Sequence, residues 1–182
     1  MQRPSRRYRL CERAVDRRSR QPAGRHRQRR LYHRRARTGP GVPPVTELNL
    51  IEQYAAAAPI AKWLGFSAEP DGDDIVFTLT FDERHIGNKL IGALHGGAIA
   101  AFLEFSAQAA LSARLGGGQP VATVNCDVDY LRSAKAQDMK ARVRFTRIGR
   151  RLAFVEALGW QKDEASPVAA ARFRFRLGET EK

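Results

Sequence analysis

One segment, Gly92 to Gln108, constrains the fold more than any other part of the chain. It reads G-A-L-H-G-G-A-I-A-A-F-L-E-F-S-A-Q, so a histidine and two glycines precede an almost wholly apolar helix. Between Ala98 and Leu115 only Glu104 and Arg114 carry charge. An ionised side chain within so apolar a helix is costly unless it is paired or used. Glu104 is therefore the first candidate for a functional residue.

The hydrophobic pattern predicts an α+β fold. A capped amphipathic helix begins at Thr46 and is broken at Pro59, and a long helix runs from about His95 to Leu115 and closes at three glycines. Period-two alternation predicts strands at 65–68, 75–81, 121–131, 139–148, 152–160 and 168–177. Within 121–131 this alternation places Val124, Cys126, Val128 and Tyr130 on one face. We expect one curled antiparallel sheet wrapped around a long, buried central helix.

The charge is concentrated at the N-terminus. Residues 1–44 contain 15 arginines, no lysine and two acids, whereas residues 45–182 carry 17 basic and 17 acidic side chains. The net charge of +13 thus belongs to the first 44 residues. This segment lacks the apolar residues that would offset the entropy of ordering, so it is predicted to be a disordered extension of a domain covering 45–182.

Three interpretations of residues 1–44 stay open. The segment can be an electrostatic arm for nucleic acid or an anionic membrane, or an organellar transit peptide. It can also be a non-functional extension from a start site placed too far upstream. We favour the last, with translation beginning near Val45, because arginine is used there to the exclusion of lysine. Neither a nucleic-acid nor a membrane partner is expected.

The two cysteines, Cys11 and Cys126, form neither a disulfide framework nor a metal-ligand spacing, which favours a cytoplasmic protein. There is no secretory h-region, and charges interrupt every apolar run well before about 18 residues. The sequence has no dinucleotide-binding glycine pattern after a strand, no P-loop and no serine nucleophile elbow. No metal or cofactor is therefore expected.

The residues around the long helix allow carbonyl chemistry. Gly96 and Gly97 open the helix with backbone N–H groups at its positive end, where a developing oxyanion would be stabilised. His95 can donate to that oxyanion, and Glu104 can act as a general base or a nucleophile. Each also has a structural interpretation: the glycines let the loop turn, His95 holds the loop, and Glu104 binds a neighbour such as Gln108.

Helix geometry limits how these groups can cooperate. Gly96 and Glu104 are eight positions apart, which places them roughly 12 Å from each other along one helix. Both cannot reach one carbonyl, because reacting groups must approach to about 3 Å. Two antiparallel copies of the helix around a two-fold axis would bring Gly96 of one beside Glu104 of the other. A catalytic interpretation therefore predicts a homodimer with paired sites.

Basic side chains near two strand ends are candidates for phosphate binding. Arg132, Ser133 and Lys135 follow one predicted strand, and Arg150 and Arg151 lie in a predicted hairpin. These residues can hold the phosphates of a nucleotide-bearing ligand. As a solvated loop, they need no ligand.

The order of segments and the string G-A-L-H-G-G-A-I-A-A-F-L-E resemble the hotdog-fold acyl-CoA thioesterases of the phenylacetate-degradation (PaaI-like) type. The resemblance covers about Leu48 to Leu177 and implies hydrolysis of an acyl-CoA to a free acid and CoA, without a cofactor. It also implies a homodimer, with pairing of dimers into a homotetramer as a further expectation.

By this resemblance, Glu104 matches the catalytic carboxylate, Gly96 the glycine whose N–H polarises the thioester carbonyl, and His95 the histidine of the H-G-G motif. Thr123 falls where that family often has a hydroxyl that positions water. Asn88 resembles the asparagine that holds the attacking water in that family, although Asn88 lies one residue further from the H-G-G motif than the asparagine of the family does. Gly97 would contact the substrate beside Gly96.

Two other functions fit the same scaffold. A non-catalytic acyl-CoA sensor would keep the dimer and the pocket but would not need Glu104. Hydration or dehydration of an acyl thioester is disfavoured, because no histidine-rich or proline-bracketed signature is present.

Overall fold

The computed structural model describes residues 44–178, so apart from Pro44 the interpretations of the arginine-rich segment lie outside the described residues. The helices are α1 (Pro44–Ala56), α2 (Pro59–Leu64) and α3 (Gly96–Arg114). The strands are β1 (Phe66–Asp71), β2 (Asp74–Leu79), β3 (Ile86–Asn88), β4 (Ala93–Leu94), β5 (Val121–Tyr130), β6 (Met139–Ile148), β7 (Leu152–Trp160) and β8 (Ala169–Leu177).

The first two helices begin at prolines. Helix α1 starts at Pro44, so Thr46 lies inside the helix and the prediction that Thr46 caps it is wrong. Proline suits a first helical turn because its missing N–H would have no partner there. Pro59 likewise opens α2, and Gly65 ends that helix in the left-handed conformation with φ of 58°.

Six strands form one antiparallel sheet in the order β1-β2-β6-β7-β8-β5, and β3 and β4 form a separate two-stranded pair. The β1–β2 hairpin turns at Gly72, where φ is 63°. Helix α3 packs across the inner face of the large sheet. Its apolar residues Phe102, Leu103 and Leu111 are fully buried. The predicted α+β fold, a curled antiparallel sheet wrapped around a long central helix, is confirmed.

The core lies between α3 and the alternate residues of the central strands. Phe77 from β2 and Phe173 and Phe175 from β8 are almost completely buried. Burying a large apolar side chain contributes about 1.5–3 kcal/mol, so this layer fixes α3 against the sheet. The start and the middle of α3 are held in place as a result.

Strand β5 contains a β-bulge that its sequence alternation does not reveal. Thr123 pairs with Phe175 and Asn125 pairs with Arg174, which leaves Val124 as the extra residue. An extra residue reverses the alternation, so Thr123 joins the inner face opposite the buried Phe175, while Val124 is 61% exposed. The prediction that Val124 shares a face with Cys126, Val128 and Tyr130 is therefore wrong.

Within residues 44–178, none of the helices combines the length and the apolar character needed to cross a membrane.

Candidate active site

His95 is the N-cap residue of α3. Its backbone is extended, with φ of −67° and ψ of 130°, and its Nδ1 accepts the Gly97 N–H at 2.9 Å. Because Nδ1 is an acceptor, a neutral His95 ring carries its proton on Nε2. The Gly97 N–H is occupied by this bond, so it is not the unobstructed group expected from the sequence. The exposed His95 ring instead presents Nε2 to solvent.

The Gly96 N–H is the first amide of α3 and has no acceptor within the described part of the chain. It lies at the positive end of the helix dipole. The Gly96 carbonyl accepts a hydrogen bond from the Tyr130 hydroxyl at 2.7 Å, which ties the turn to the end of β5. Gly96 therefore combines a fixed backbone with a donor that is free to bind an anionic oxygen.

The preceding segment 82–88 packs against the turn formed by His95 and Gly96 and is hydrogen-bonded to it. The His95 N–H donates to the His85 carbonyl at 2.7 Å. The His85 side chain is completely buried, and its ring accepts the Asp82 N–H at 3.2 Å and contacts the Trp63 carbonyl at 2.8 Å. Sequence analysis missed His85, because nothing in its neighbourhood indicates that its ring is buried or that its carbonyl reaches the H-G-G turn.

Glu104 is half-buried on the side of α3 that faces β5. Its Oε1 accepts a hydrogen bond from the Thr123 hydroxyl at 2.6 Å. Gln108, expected from the sequence to bind Glu104, instead donates from Nε2 to Thr123 Oγ1 at 2.9 Å. The Tyr54 hydroxyl donates to Gln108 Oε1 at 3.4 Å. Glu104 Oε2 has no hydrogen-bond partner among residues 44–178.

The Glu104 carboxylate influences two neighbouring groups. Burial, and secondarily the charge of Glu104, raises the pKa of the Tyr54 phenol. Burial likewise raises the pKa of the Cys126 thiol, with smaller contributions from Glu104 and Asp127. Both groups are consequently neutral around Glu104 at physiological pH.

A cleft of about 390 Å³ lies beside Gly96. It brings the Gly96 turn together with two of the candidate phosphate-binding residues, Arg132 and Ser133. Its walls are Ala93, Leu94, Gly96, Ile99, Tyr130, Leu131, Arg132, Ser133 and Ala134. The Arg132 guanidinium donates to the Pro167 carbonyl, and the exposed Lys135 follows just outside the cleft.

Arg150 and Arg151 lie at the opposite end of the sheet. The Arg151 carbonyl accepts the N–H of Leu177, which pairs with the first residue of β5. Arg132 lies two positions after the last residue of β5. Ten residues of β5 span about 30 Å. A single chain therefore does not bring the two groups of predicted phosphate ligands together.

Asn88 lies at the end of β3, exposed to solvent. Its Oδ1 accepts the Leu90 N–H at 3.0 Å, so this oxygen is used within its own loop. Within one chain the structure does not bring Asn88 to Glu104. Gly96 and Glu104 are also separate, on successive parts of α3 about 12 Å apart.

The family model for the thioesterase superfamily matches residues 91–168. A solved structure from Chromobacterium violaceum is 31% identical, with a TM-score of 0.59, covering 74% of this chain and 98% of that one. A thioesterase from Haemophilus influenzae is 22% identical, with a TM-score of 0.64 and coverages of 74% and 92%. A phenylacetic acid degradation-related protein from Ralstonia eutropha JMP134 is 23% identical, with a TM-score of 0.61 and coverages of 70% and 99%.

No curated protein matches the sequence. The fold, the H-G-G turn at the start of α3 and these similarities define a hotdog protein. The chain belongs to the thioesterase superfamily. This membership confirms the resemblance seen in the sequence and supports a thioester hydrolase activity in general.

Proposed function

We propose that the protein hydrolyses an acyl-CoA thioester to a free acid and CoA, with Gly96 of one subunit and Glu104 of a second forming each site. One observation carries the proposal. The Gly96 N–H and Glu104 Oε2 are both without partners in the described chain, and both lie along β5 at the edge of the sheet. One is a donor suited to an oxyanion, and the other is an acceptor suited to a water proton.

The reaction needs only these groups and water. Glu104 accepts a proton as water adds to the thioester carbonyl carbon, and the Gly96 N–H stabilises the oxyanion of the tetrahedral intermediate. Collapse of that intermediate breaks the carbon–sulfur bond, and the proton held by Glu104 passes to the departing CoA thiolate. The products are a carboxylic acid and CoA. The exposed His95 Nε2–H lies next to Gly96 and can also donate to the substrate.

The shape of β5 supports a dimer. This ten-residue strand is at the sheet edge and carries exposed apolar surface at Val124 and Tyr130, which are 61% and 53% exposed. Unpaired edges of this kind are templates for another strand. A two-fold axis near the middle of β5 would place Tyr130 of one subunit opposite the start of its partner's β5. Gly96 contacts Tyr130, and Glu104 contacts Thr123 near that start, so the two halves would meet.

The same two-fold arrangement would reunite the phosphate-binding candidates. Arg132 and Ser133 lie at one end of β5, and Arg150 and Arg151 lie at the other. In an antiparallel pair of β5 strands these two ends come from different subunits and lie side by side, so the phosphates of one CoA can contact both groups of residues.

The same proposal includes three further features of the protein. They are a cytoplasmic location, the pairing of dimers into tetramers, and the division of the chain into an extension at 1–44 and a domain at 45–182.

The substrate assay is the release of a free thiol from a panel of acyl-CoA esters. Glu104→Gln and Glu104→Ala should lower kcat by about 10²–10⁴-fold, because they remove the general base. Glu69→Gln is the matched control, since Glu69 is an exposed carboxylate on β1. Unchanged turnover in both Glu104 variants would refute the mechanism. Binding of acyl-CoA without turnover in the wild type would assign the protein to the sensor class.

The shared site is tested by subunit complementation. Gly96→Pro deletes the N–H yet suits the first helical position, and His95 already has the extended backbone that precedes proline. Gly96→Ala, which keeps the N–H but places a Cβ 3.3 Å from the Tyr130 ring, is its control. Inactive Gly96→Pro and Glu104→Gln subunits, mixed and refolded, should recover about a quarter of wild-type activity, because half of the dimers contain one intact site. No recovery would place both groups within one subunit.

A further inference from the structure

Four side chains form a continuous hydrogen-bonded chain that ends at Glu104. Tyr54 comes from α1, Gln108 and Glu104 from α3, and Thr123 from the bulged part of β5. The successive contacts are 3.4 Å from Tyr54 to Gln108, 2.9 Å from Gln108 to Thr123 and 2.6 Å from Thr123 to Glu104. Three separate elements therefore converge on one carboxylate oxygen.

The direction of each bond follows from the chemistry at the carboxylate end. An ionised carboxylate only accepts, so the single proton of Thr123 points to Glu104 Oε1. The Thr123 oxygen then accepts from Gln108 Nε2, and Gln108 turns its Oε1 towards Tyr54. Tyr54 completes the series as a donor. The raised pKa of its phenol keeps that proton in place at neutral pH.

The opposite orientation of the Gln108 amide would be unproductive. With its oxygen towards Thr123, Gln108 would accept the Thr123 proton, and the 2.6 Å contact between Thr123 and Glu104 would then join two acceptors. In the productive orientation Gln108 Oε1 lies on the far side of the amide, where it accepts a hydrogen bond from a donor. Tyr54 supplies this donor, and its ring packs against Phe105 with centroids 5.5 Å apart.

We propose that Tyr54 and Gln108 are positioning residues that orient Thr123, so that Glu104 is held through Oε1 and presents Oε2 to the attacking water. The inference rests on the proposed function and deepens it. It also changes the role of Thr123, which donates to the carboxylate of its own chain and retains one lone pair to accept a hydrogen bond from water. Helix α1 thereby becomes part of the reaction machinery rather than only a cover for the core.

Steady-state kinetics with a double-mutant cycle tests the inference. Tyr54→Phe keeps the ring and removes the donor, and Gln108→Leu removes the amide. We expect kcat to fall about 3–10-fold in the first and about 10–30-fold in the second, with KM within about twofold of wild type in both. In the double variant, Tyr54→Phe should add no further loss, because it acts through Gln108. Gln53→Leu, at an exposed neighbouring position on α1, is the control.

A general loosening of the fold would behave differently. It would lower the melting temperature and the active fraction, and independent losses would multiply in the double variant. Thr123→Ser should retain most of the turnover and the isosteric Thr123→Val should lose it, which separates the hydroxyl from packing. If Gln108→Leu does not fold, Tyr54→Phe and the Thr123 pair decide the matter.

The outcomes separate this inference from the function on which it rests. If Glu104→Gln is inactive while Tyr54→Phe and Gln108→Leu turn over as fast as wild type, only the positioning role is overturned. Multiplicative losses in the double variant overturn it as well. A wild type without thioesterase activity, or activity that survives Glu104→Gln, overturns the positioning role together with the proposed function.

Discussion

Replacing Gly87 by alanine should disturb the turn that carries His95 and Gly96. A Cβ at Gly87 would lie 2.7 Å from the His95 Cα and 2.9 Å from its Cβ. These atoms cannot rotate away, because the first belongs to the backbone and the second is bonded to it. Strand β3 and the turn must therefore separate by about 0.8 Å to reach an ordinary carbon contact of about 3.5 Å.

The cost of this separation can be bounded. Overpacking that moves backbone costs about 1–3 kcal/mol. Replacing glycine also restricts the unfolded chain, which offsets about 0.4–1 kcal/mol of this loss of stability. The net loss should be about 1–2 kcal/mol, or a fall in melting temperature of about 3–8 °C for a domain of this size. Activity is more sensitive, because a displacement approaching 1 Å can cost about 10²-fold in rate.

The displacement should reach Gly96 through one hydrogen bond. His95 is tied to the segment before Gly87 by its N–H bond to the His85 carbonyl at 2.7 Å. Moving β3 therefore either stretches this bond or drags the first turn of α3 with it. In both cases the Gly96 N–H leaves the position in which, by the proposed mechanism, it would bind the substrate oxygen. We expect kcat to fall about 10- to 100-fold in Gly87→Ala.

Gly118→Ala is the matched control, because a Cβ there meets no atom within 4 Å. Thermal melting and thiol-release kinetics of both variants, measured on the same preparations, give the comparison. Gly87→Ala with the melting temperature and the kcat of Gly118→Ala would refute the reasoning about the close approach. A lowered melting temperature with unchanged kcat would retain the packing argument and refute the claim that β3 positions Gly96.

Two further predictions concern ionisation. Hydrogen bonds from the Arg84 backbone and side chain lower the pKa of Asp82, so the charged form of Asp82 is favoured by folding. The contribution of the Asp82 carboxylate to the stability of the fold is fully present above the ordinary pKa of 3.8. It is lost as the pH falls towards the lower pKa that Asp82 has in the folded protein. Asp82→Asn should therefore be less stable than wild type at pH 7, with a difference that shrinks in melts below about pH 4; a constant difference would contradict this assignment. Because the pKa of Cys126 is raised, its alkylation at pH 8 should be slower than that of a free thiol. Glu104→Gln should speed the alkylation of Cys126. The rates are compared with and without Glu104→Gln, both in a Cys11→Ser background. Equal rates would exclude a contribution of the Glu104 carboxylate to the pKa of Cys126.

The long elements of the fold were predictable because their hydrophobic patterns are strong and local. Helix α3 was expected at about 95–115 and lies at Gly96–Arg114, and β6 and β7 have the bounds that the alternation predicts. The short β3–β4 pair was missed, since it depends on a close approach of two backbones rather than on a pattern. The start of α1 was misplaced because a hydroxyl suggested a cap where a proline begins the helix.

Some residues of the candidate site have a local sequence signal and others do not. Gly96, His95 and Glu104 are recognisable as candidate site residues, because a glycine pair at a helix start and a lone acid in an apolar helix are local patterns. Tyr54 and His85 have no such local pattern, since their hydrogen-bond partners, Gln108 and Trp63, lie 54 and 22 positions away in the sequence. Contacts of this range depend on how α1 and α2 pack, which no local pattern records.

The bulge in β5 shows why the remaining part of the site escapes sequence analysis. With regular alternation, Thr123 would face away from α3 and its hydroxyl would not reach Glu104. The extra residue Val124 turns Thr123 inward, where the 2.6 Å bond to Glu104 forms. The same residue places an apolar side chain outward at the edge of the sheet, 61% exposed. The bulge therefore keeps Thr123 on the inner face, in contact with the carboxylate, and also exposes apolar surface where a second subunit would pair. Val124→Thr, which keeps the register and the contact between Thr123 and Glu104, should weaken only the pairing of subunits.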